Sequence, residues 1–185
     1  VKKGVTIGYT HEEYSIGSFV GPMLNGQINN SYSEADVYGT SRMGGLAGSK
    51  GQSMGLCVIR NSHFGGNLVA SGEWVGGLIG GGYVSESAPN TMAVSFINCY
   101  VDGNVTGTDY VGGLFGGEEG MQQCWNDCWL KDSFFYGTIT ATGDNVGGII
   151  GYMRSIDNRQ HIENNYFYEK SGTVTNLIGA VKRYD

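Results

Sequence analysis

The chain has 185 residues and a mass of 19.8 kDa, which is enough for one domain. Its net charge of −6 and pI near 5.0 argue against nucleic acid or an anionic membrane as a partner, because no basic stripe is present to release counterions. No apolar run approaches the roughly 18 residues of a membrane-spanning helix, so we expect no membrane insertion.

A glycine-rich phrase of six residues returns five times along the chain. Its third copy reads Val75-Gly76-Gly77-Leu78-Ile79-Gly80, and the copies begin at Ile16, Met43, Val75, Val111 and Val146. Each copy is followed by a second phrase: an aliphatic residue or Phe, any residue, Asn or Asp, a small residue, then an aromatic residue or His. Repetition at roughly 30-residue intervals is typical of stacked supersecondary units that cannot bury their apolar side alone.

Each repeat contains three short apolar stretches, which in the third repeat are residues 75–80, 96–101 and 104–106. All are too short for helices, and the 33 glycines of the chain disfavour helix further. We therefore predict an all-β fold, a parallel β-solenoid (β-helix) of about five coils with three short strands per coil. Successive coils would stack ~4.8 Å apart, and the usual crossover preference favours a right-handed winding.

We interpret residues 1–185 as a single domain whose coils start near residues 16, 43, 75, 111 and 146. Residues 1–15 and 175–185 each contain a faded copy of the glycine-rich phrase, so we expect degenerate end coils there. Such a chain is either a capped whole or, as we prefer, a piece of a longer secreted protein.

Stacking in register would place equivalent side chains in columns along the solenoid. Val75 and Leu78 are both expected inside, which strict alternation forbids, so we predict a β-bulge at the Gly76-Gly77 pair. His63 replaces Tyr in the aromatic column and is interpreted as a packing residue.

A carboxamide can bond its own backbone and the equivalent group one coil away. We therefore predict a structural ladder formed by Asn30, Asn61, Asn98, Asp132 and Asn164.

The combination of Val-Gly-Gly-Leu-hydrophobic-Gly with Ile-Asn-Cys-Tyr and Gly-x-Val-x-Gly resembles the GLUG motif. That repeat occurs in large secreted or surface proteins of bacteria, including adhesin-like proteins and immunoglobulin A peptidases. The resemblance covers residues 16–179 and is strongest in 75–116, whereas the first copy departs from it at Ser18-Phe19. It implies a repeat scaffold on the cell surface or in a secreted protein, and it carries no catalytic residues.

The sequence offers little for catalysis. His11-Glu12-Glu13 begins like a zinc-peptidase helix, but position 15 is Ser, so the second histidine is missing. Polysaccharide-cleaving β-helix enzymes use clustered carboxylates beside Arg or Lys, and no column here stacks its arginines with carboxylates. We therefore expect a protein that is not an enzyme and that needs no cofactor, calcium apart.

The calcium hypothesis rests on an acidic residue two positions before three of the glycine-rich phrases: Glu73, Asp109 and Asp144. Stacked coils would put these carboxylates in a row, ~5 Å from one to the next. Two interpretations stay open. Each carboxylate caps the N–H groups of its own turn, or neighbouring carboxylates bind a hard cation such as Ca²⁺ through their oxygens.

Two of the four cysteines, Cys124 and Cys128, lie in one loop and are predicted to form a disulfide in an oxidising compartment. Their spacing is too wide for a redox CxxC motif, and no second pair completes a zinc site. Cys99 occupies the small column and is interpreted as a packed thiol.

Loops after the glycine-rich phrases are longer in the second to fifth repeats than in the first, and such insertions emerge on one edge of a solenoid. Aromatic and Met side chains on this edge favour a recognition surface when exposed. The alternative is that they fold over the coils as a satellite core. The candidate ligand-binding residues are Tyr83, Met121, Trp125, Trp129 and Tyr152.

These observations predict a non-enzymatic structural or adhesive segment of a secreted or cell-surface bacterial protein. It would act as a rigid spacer whose loop edge contacts a glycan or protein of a host or surface. Alternatives are an accessory module of a large secreted peptidase, a carbohydrate-active enzyme, and a self-stacking filament subunit. The last follows from unpaired strand edges at the end coils, which would allow end-to-end association.

Overall fold

The computed structural model describes residues 1–8, 13–50, 56–83, 94–119, 128–153, 160–168, 170 and 172–181. Within these residues the regular secondary structure is all β-strand. The strands pair in parallel from β1 to β25. The predicted parallel β-solenoid is thereby confirmed. The described residues contain no helix of the length and apolarity that crossing a bilayer demands.

The strands are short and follow the sequence repeats. A two-residue strand, β1 (Thr6–Ile7), precedes the first repeat. The first repeat contains β2 (Val20–Met23), β3 (Gly26–Asn29), β4 (Tyr32–Ser33) and β5 (Asp36–Gly39). The second contains β6 (Met43–Gly44), β7 (Ala47–Lys50), β8 (Cys57–Arg60), β9 (His63–Phe64) and β10 (Asn67–Ala70).

The later repeats have the same order of strands. The third contains β11 (Val75–Gly76), β12 (Ile79–Tyr83), β13 (Val94–Ile97), β14 (Tyr100–Val101) and β15 (Asn104–Thr106). The fourth contains β16 (Val111–Gly112), β17 (Phe115–Glu119), β18 (Cys128–Lys131), β19 (Phe134–Phe135) and β20 (Thr138–Thr140). The fifth contains β21 (Val146–Gly147), β22 (Ile150–Met153), β23 (Gln160–Glu163) and β24 (Tyr166–Phe167), and β25 (Ile178–Val181) follows it.

Equivalent strands of successive repeats pair to form five parallel sheets along the solenoid axis. Their strand orders are β1-β5-β10-β15-β20, β6-β11-β16-β21, β2-β7-β12-β17-β22-β25, β3-β8-β13-β18-β23 and β4-β9-β14-β19-β24. The register matches the sequence alignment, since Val75 pairs with Met43 on one side and with Val111 on the other. The described residues make about four turns, slightly fewer than the five coils predicted.

A complete coil contains five strands rather than three, because two of the predicted stretches each turn a corner. Residues 96–101 divide at Asn98, which directly follows β13 and has a left-handed φ of 53°. Asn tolerates this conformation better than other residues with a Cβ. Residues 75–80 divide at a bend over Gly77 and Leu78. This bend, not the predicted β-bulge, lets Val75 and Leu78 both lie fully buried.

One apolar core runs the length of the described solenoid and draws on all five sheets. Inward-facing side chains of successive coils lie directly over one another, as Ile59, Phe96 and Leu130 do. A single coil has no second layer to cover these side chains, so burial of apolar surface depends on its neighbours.

The glycines of the repeated phrase are required by close packing. A Cβ on Gly45 would lie 2.5 Å from Phe64 Cδ1, and one on Gly113 would lie 2.5 Å from Phe135 Cγ. The last glycine of the phrase lies against the backbone of the preceding coil, because a Cβ on Gly80 would lie 2.6 Å from Met43 N. Real Cβ atoms do not tolerate such distances, so any larger side chain must displace backbone or a buried ring.

We expect Gly113→Ala to destabilise the protein by about 1–3 kcal/mol, the usual cost of overpacking a filled core. The added methyl group would overlap the Gly148 carbonyl oxygen and the Phe135 ring. Gly26→Ala is the matched control, because its nearest heavy atom is Met23 Cγ at 4.0 Å. Urea unfolding measures both variants, and equal midpoints for the two would contradict the steric explanation.

Candidate functional site

The predicted Asn column lies at the corner between the β3 and β4 faces, and its members adopt left-handed φ angles of 48–53°. Asn61 Nδ2 donates to Asn30 Oδ1 at 3.1 Å, and Asn98 Nδ2 donates to Asn61 Oδ1 at 2.9 Å. Asn164 Nδ2 likewise donates to Asp132 Oδ1 at 3.1 Å. The chain of amide donors is interrupted between Asp132 and Asn98, because a carboxylate has no N–H to donate.

We expect Asp132→Asn to stabilise the protein by about 0.5–1.5 kcal/mol, the net value of one hydrogen bond. The new amide would donate to Asn98 Oδ1 and complete the ladder. Little is lost in exchange, since the Lys131 Nζ–Asp132 Oδ2 contact is 4.0 Å long and solvent-accessible.

Asn61→Asp is the reciprocal control, because it removes the donor to Asn30 and should lower stability. Thermal unfolding followed by circular dichroism compares the two variants with the unmodified protein. A shift of both variants in the same direction would contradict the ladder mechanism.

A second polar ladder lies on the next face, at the start of β5, β10 and β15, and the sequence analysis missed it. Asp36 Oδ1 accepts from both the backbone N and Nδ2 of Asn67, at 3.0 and 2.8 Å. Asn104 Nδ2 then donates to Asn67 Oδ1 at 2.8 Å. The available signal was a polar residue directly before the inward Val37, Leu68 and Val105 of successive repeats.

An aromatic row, defined as Tyr32, His63, Tyr100, Phe134 and Tyr166, lies on the outer face of the β4-β9-β14-β19-β24 sheet. The His63 and Tyr100 rings stack at 4.1 Å, and the Tyr100 and Phe134 rings at 5.0 Å. His63 does pack between coils, but it does so on the outside, where its Nε2 lies 3.0 Å from Asp102 Oδ1. The inward positions of this sheet belong to the neighbouring Phe64, Val101 and Phe135.

The stacked geometry limits what this row can bind. The three neighbouring ring pairs from Tyr32 to Phe134 are parallel within 5–16°, so these faces lie against one another along the solenoid axis. Ring edges and phenol hydroxyls therefore meet solvent. Sugar rings that stack on exposed aromatic faces would find few such faces here, and the row instead contributes to contacts between coils.

The acidic row of Glu73, Asp109 and Asp144 is in register, because Val75, Val111 and Val146 pair with one another. Asp109 Oδ1 accepts from Tyr110 N at 3.0 Å and Asn145 N at 2.8 Å, and its Oδ2 accepts from Asn145 Nδ2 at 2.9 Å. Within the described part of the chain, no group of three or more His, Cys, Asp and Glu side chains is placed to hold a metal ion. The capping interpretation therefore describes Asp109 in part, since Tyr110 N belongs to its own turn and the two Asn145 donors belong to the next coil, and the calcium site stays a prediction.

The structure describes the side chains of two of the five residues of the predicted recognition edge, so the edge stays a prediction. Trp129 is half-buried and stacks on His161 at 3.9 Å, with Lys131 Nζ 5.0 Å from its ring centre. Tyr152 is only 6% exposed and meets Trp74 and Tyr110 edge-on, which is the packing that the satellite-core alternative expects. Tyr83 ends β12, but its side chain lies outside the described residues, as do Met121 and Trp125.

The corner beneath Tyr152 is built from aromatic residues in strained backbone conformations. Trp74 and Tyr110 have φ angles of 67° and 52°, and their rings stack at 4.0 Å with 1° between planes. A left-handed conformation costs roughly 1–2 kcal/mol for a residue with a Cβ, which the ring stacking and burial of Trp74 offset.

The cysteines divide into two groups. Cys124 lies outside the described residues, so its disulfide with the buried Cys128 stays a prediction. Cys57 and Cys99 are buried thiols whose Sγ atoms donate to the carbonyls of Met23 at 2.9 Å and Ile97 at 3.3 Å. Burial raises the pKa of both thiols to about 11.

These two thiols should make the protein less stable at alkaline pH. In the unfolded chain they ionise near pKa 9.0, whereas in the folded protein they stay protonated until about 11. The unfolded state therefore releases protons first, and the free energy of unfolding falls as pH rises through that window. Urea unfolding across that window should show a smaller loss for a Cys57→Ala, Cys99→Ala double variant, and an unchanged pH dependence would contradict the assignment.

Comparison of the chain with protein-family models, with curated proteins and with solved structures found no match. The resemblance of its repeated phrase to the GLUG motif therefore stays an expectation from the sequence.

Proposed function

We propose that this chain is a non-enzymatic rod segment of a secreted or cell-surface bacterial protein, and that it holds its neighbours at a fixed distance. The observation that carries this proposal is the unbroken register of its parallel sheets. From β2 to β25, successive rungs pair without a slip in the six-stranded sheet.

Stiffness is the mechanical consequence of that register. Bending a solenoid opens the rungs on its convex side, which lengthens backbone hydrogen bonds such as Val75 N to Tyr110 O at 3.1 Å. The same bend would pull apart side-chain contacts between coils, including the Asn ladder at one corner and the Trp74–Tyr110 stack at another. A rod that resists bending on several faces acts as a spacer.

The polar outer side chains also favour a scaffold over a carbohydrate-active enzyme. The Asp109 carboxylate accepts three hydrogen bonds from neighbouring residues, and the Asp36 carboxylate accepts two from Asn67 on the next coil. Asp102 lies against His63. Carboxylates used in this way hold adjacent coils together.

The bacterial and secreted context rests on the glycine-rich phrase, whose likeness to the GLUG repeat carries that expectation. Contact with a glycan or protein of a host or surface is the adhesive part of the proposal. It would use the loop edge around Met121 and Trp125, which lies outside the described residues.

The rod is tested by a distance measurement. Asn29 and Glu163 occupy one outer column, four rungs apart, since the pairs run through Arg60, Ile97 and Lys131. Spin labels carried by bio-orthogonal side chains at positions 29 and 163 should give one narrow distance distribution, consistent with ~19 Å between the two backbone positions. Deleting residues 75–110, one complete coil, should keep it narrow and shorten it by one rung, ~4.8 Å.

The same labels on protein unfolded in urea provide the control for a broad distribution. A broad distribution in the native protein, or a coil deletion that leaves the distance unchanged, would refute the rigid rod.

A further inference from the structure

Two exposed tyrosines lie one above the other beside the aromatic row. Tyr136 follows β19 and Tyr168 follows β24, directly after the paired residues Phe135 and Phe167, so the two occupy equivalent positions on adjacent rungs. Their rings stack at 5.5 Å with 24° between planes. The residues are 48% and 64% exposed, so both rings are open to reagents in solution.

We propose that Tyr136 and Tyr168 form a site of oxidative cross-linking, where a dityrosine bond joins two neighbouring coils. This rests on the proposed secreted location, in which the chain meets hydrogen peroxide and a haem peroxidase. The peroxidase takes one electron and one proton from each phenol. The two phenoxyl radicals then join through a carbon–carbon bond ortho to each hydroxyl.

The hydrogens on the joined ring carbons complete the atom and electron balance of the reaction. Each joined carbon gives up its hydrogen as the ring regains aromaticity, and each phenol oxygen recovers a proton. The tyrosine pair has then lost two hydrogen atoms in total, and one hydrogen peroxide has been reduced to two water molecules. No other group on the protein is consumed.

Proximity selects this pair. A radical on Tyr136 finds the Tyr168 ring one rung away, which converts a bimolecular coupling into an intramolecular one. The stacked rings must turn so that their ortho carbons meet, and the exposure of both side chains leaves room for that rotation.

Several other described tyrosines contact residues that cannot form dityrosine. In the aromatic row, Tyr32 stacks on His63, and Tyr100 lies between His63 and Phe134. Tyr166 is paired in register with Phe134. Tyr110 and Tyr152 do touch, at 5.3 Å and edge-on, but Tyr152 is buried.

The cross-link would join the fourth and fifth repeats covalently. A covalent bond from residue 136 to residue 168 closes a loop of roughly 30 residues, which restricts the unfolded chain as a disulfide does. The cross-linked protein should therefore unfold at a temperature several degrees higher.

The test treats the full chain with hydrogen peroxide and a haem peroxidase at low protein concentration. We expect blue dityrosine fluorescence in a band that migrates as monomer, and a peptide pair joined at residues 136 and 168 that is lighter by two hydrogens. Tyr136→Phe and Tyr168→Phe keep the ring stack but should each abolish this product. Tyr166→Phe is the matched control and should retain it, because Tyr166 is 68% exposed and begins β24, two residues before Tyr168.

A cross-link that persists undiminished in Tyr136→Phe, that maps to other tyrosines, or that forms only between chains would overturn the proposal. The distance measurement on the rod uses no oxidant. A narrow spin-label distribution without any dityrosine would thus contradict only the cross-link proposal, whereas a broad distribution would contradict the rod proposal.

Discussion

In-register stacking of coils is the constraint on which the rest of this structure depends. A backbone group such as Met43 N has its partner, Trp74 O, on the next coil at 3.1 Å, and Val75 N is paired with Tyr110 O in the same way. Buried backbone groups without partners are costly, so an isolated coil would not persist. Each coil therefore acts as the template for the next, and one slip would break every column at once.

The same constraint explains the outer faces and corners. An amide at a left-handed corner can satisfy its neighbour because that neighbour is also an amide, one rung away. The aromatic row obeys the same logic, since a flat ring stacks on the flat ring of the next coil. Where the residue type changes along a column, the contacts between coils change too. Asp132 interrupts the series of amide donors, and His63 contacts the Asp102 carboxylate.

Particular residues show how far sequence reasoning reached. The repeat of Asn or Asp at one position was sufficient to predict the ladder column, because its chemistry is local and repeats with the chain. The number of strands per coil was not accessible, since it depends on backbone angles at Asn98 and at the Gly77-Leu78 bend. The sequence also left open whether Tyr152 is exposed or buried, because Trp74 and Tyr110, which it packs against, lie far from it in sequence.

The amino-acid sequence by itself determined the repeat, the parallel stacking and the identity of the columns, because a period in the chain becomes a period in space once equivalent strands pair. Tertiary structure alone decided which columns face solvent and which neighbours they meet. Outward exposure of the aromatic row follows from Phe64, Val101 and Phe135 filling the interior of that sheet. Whether an aromatic side chain packs inside or stacks outside depends on that alternation and on glycine leaving room for the inner ring, neither of which a column of residue types reveals.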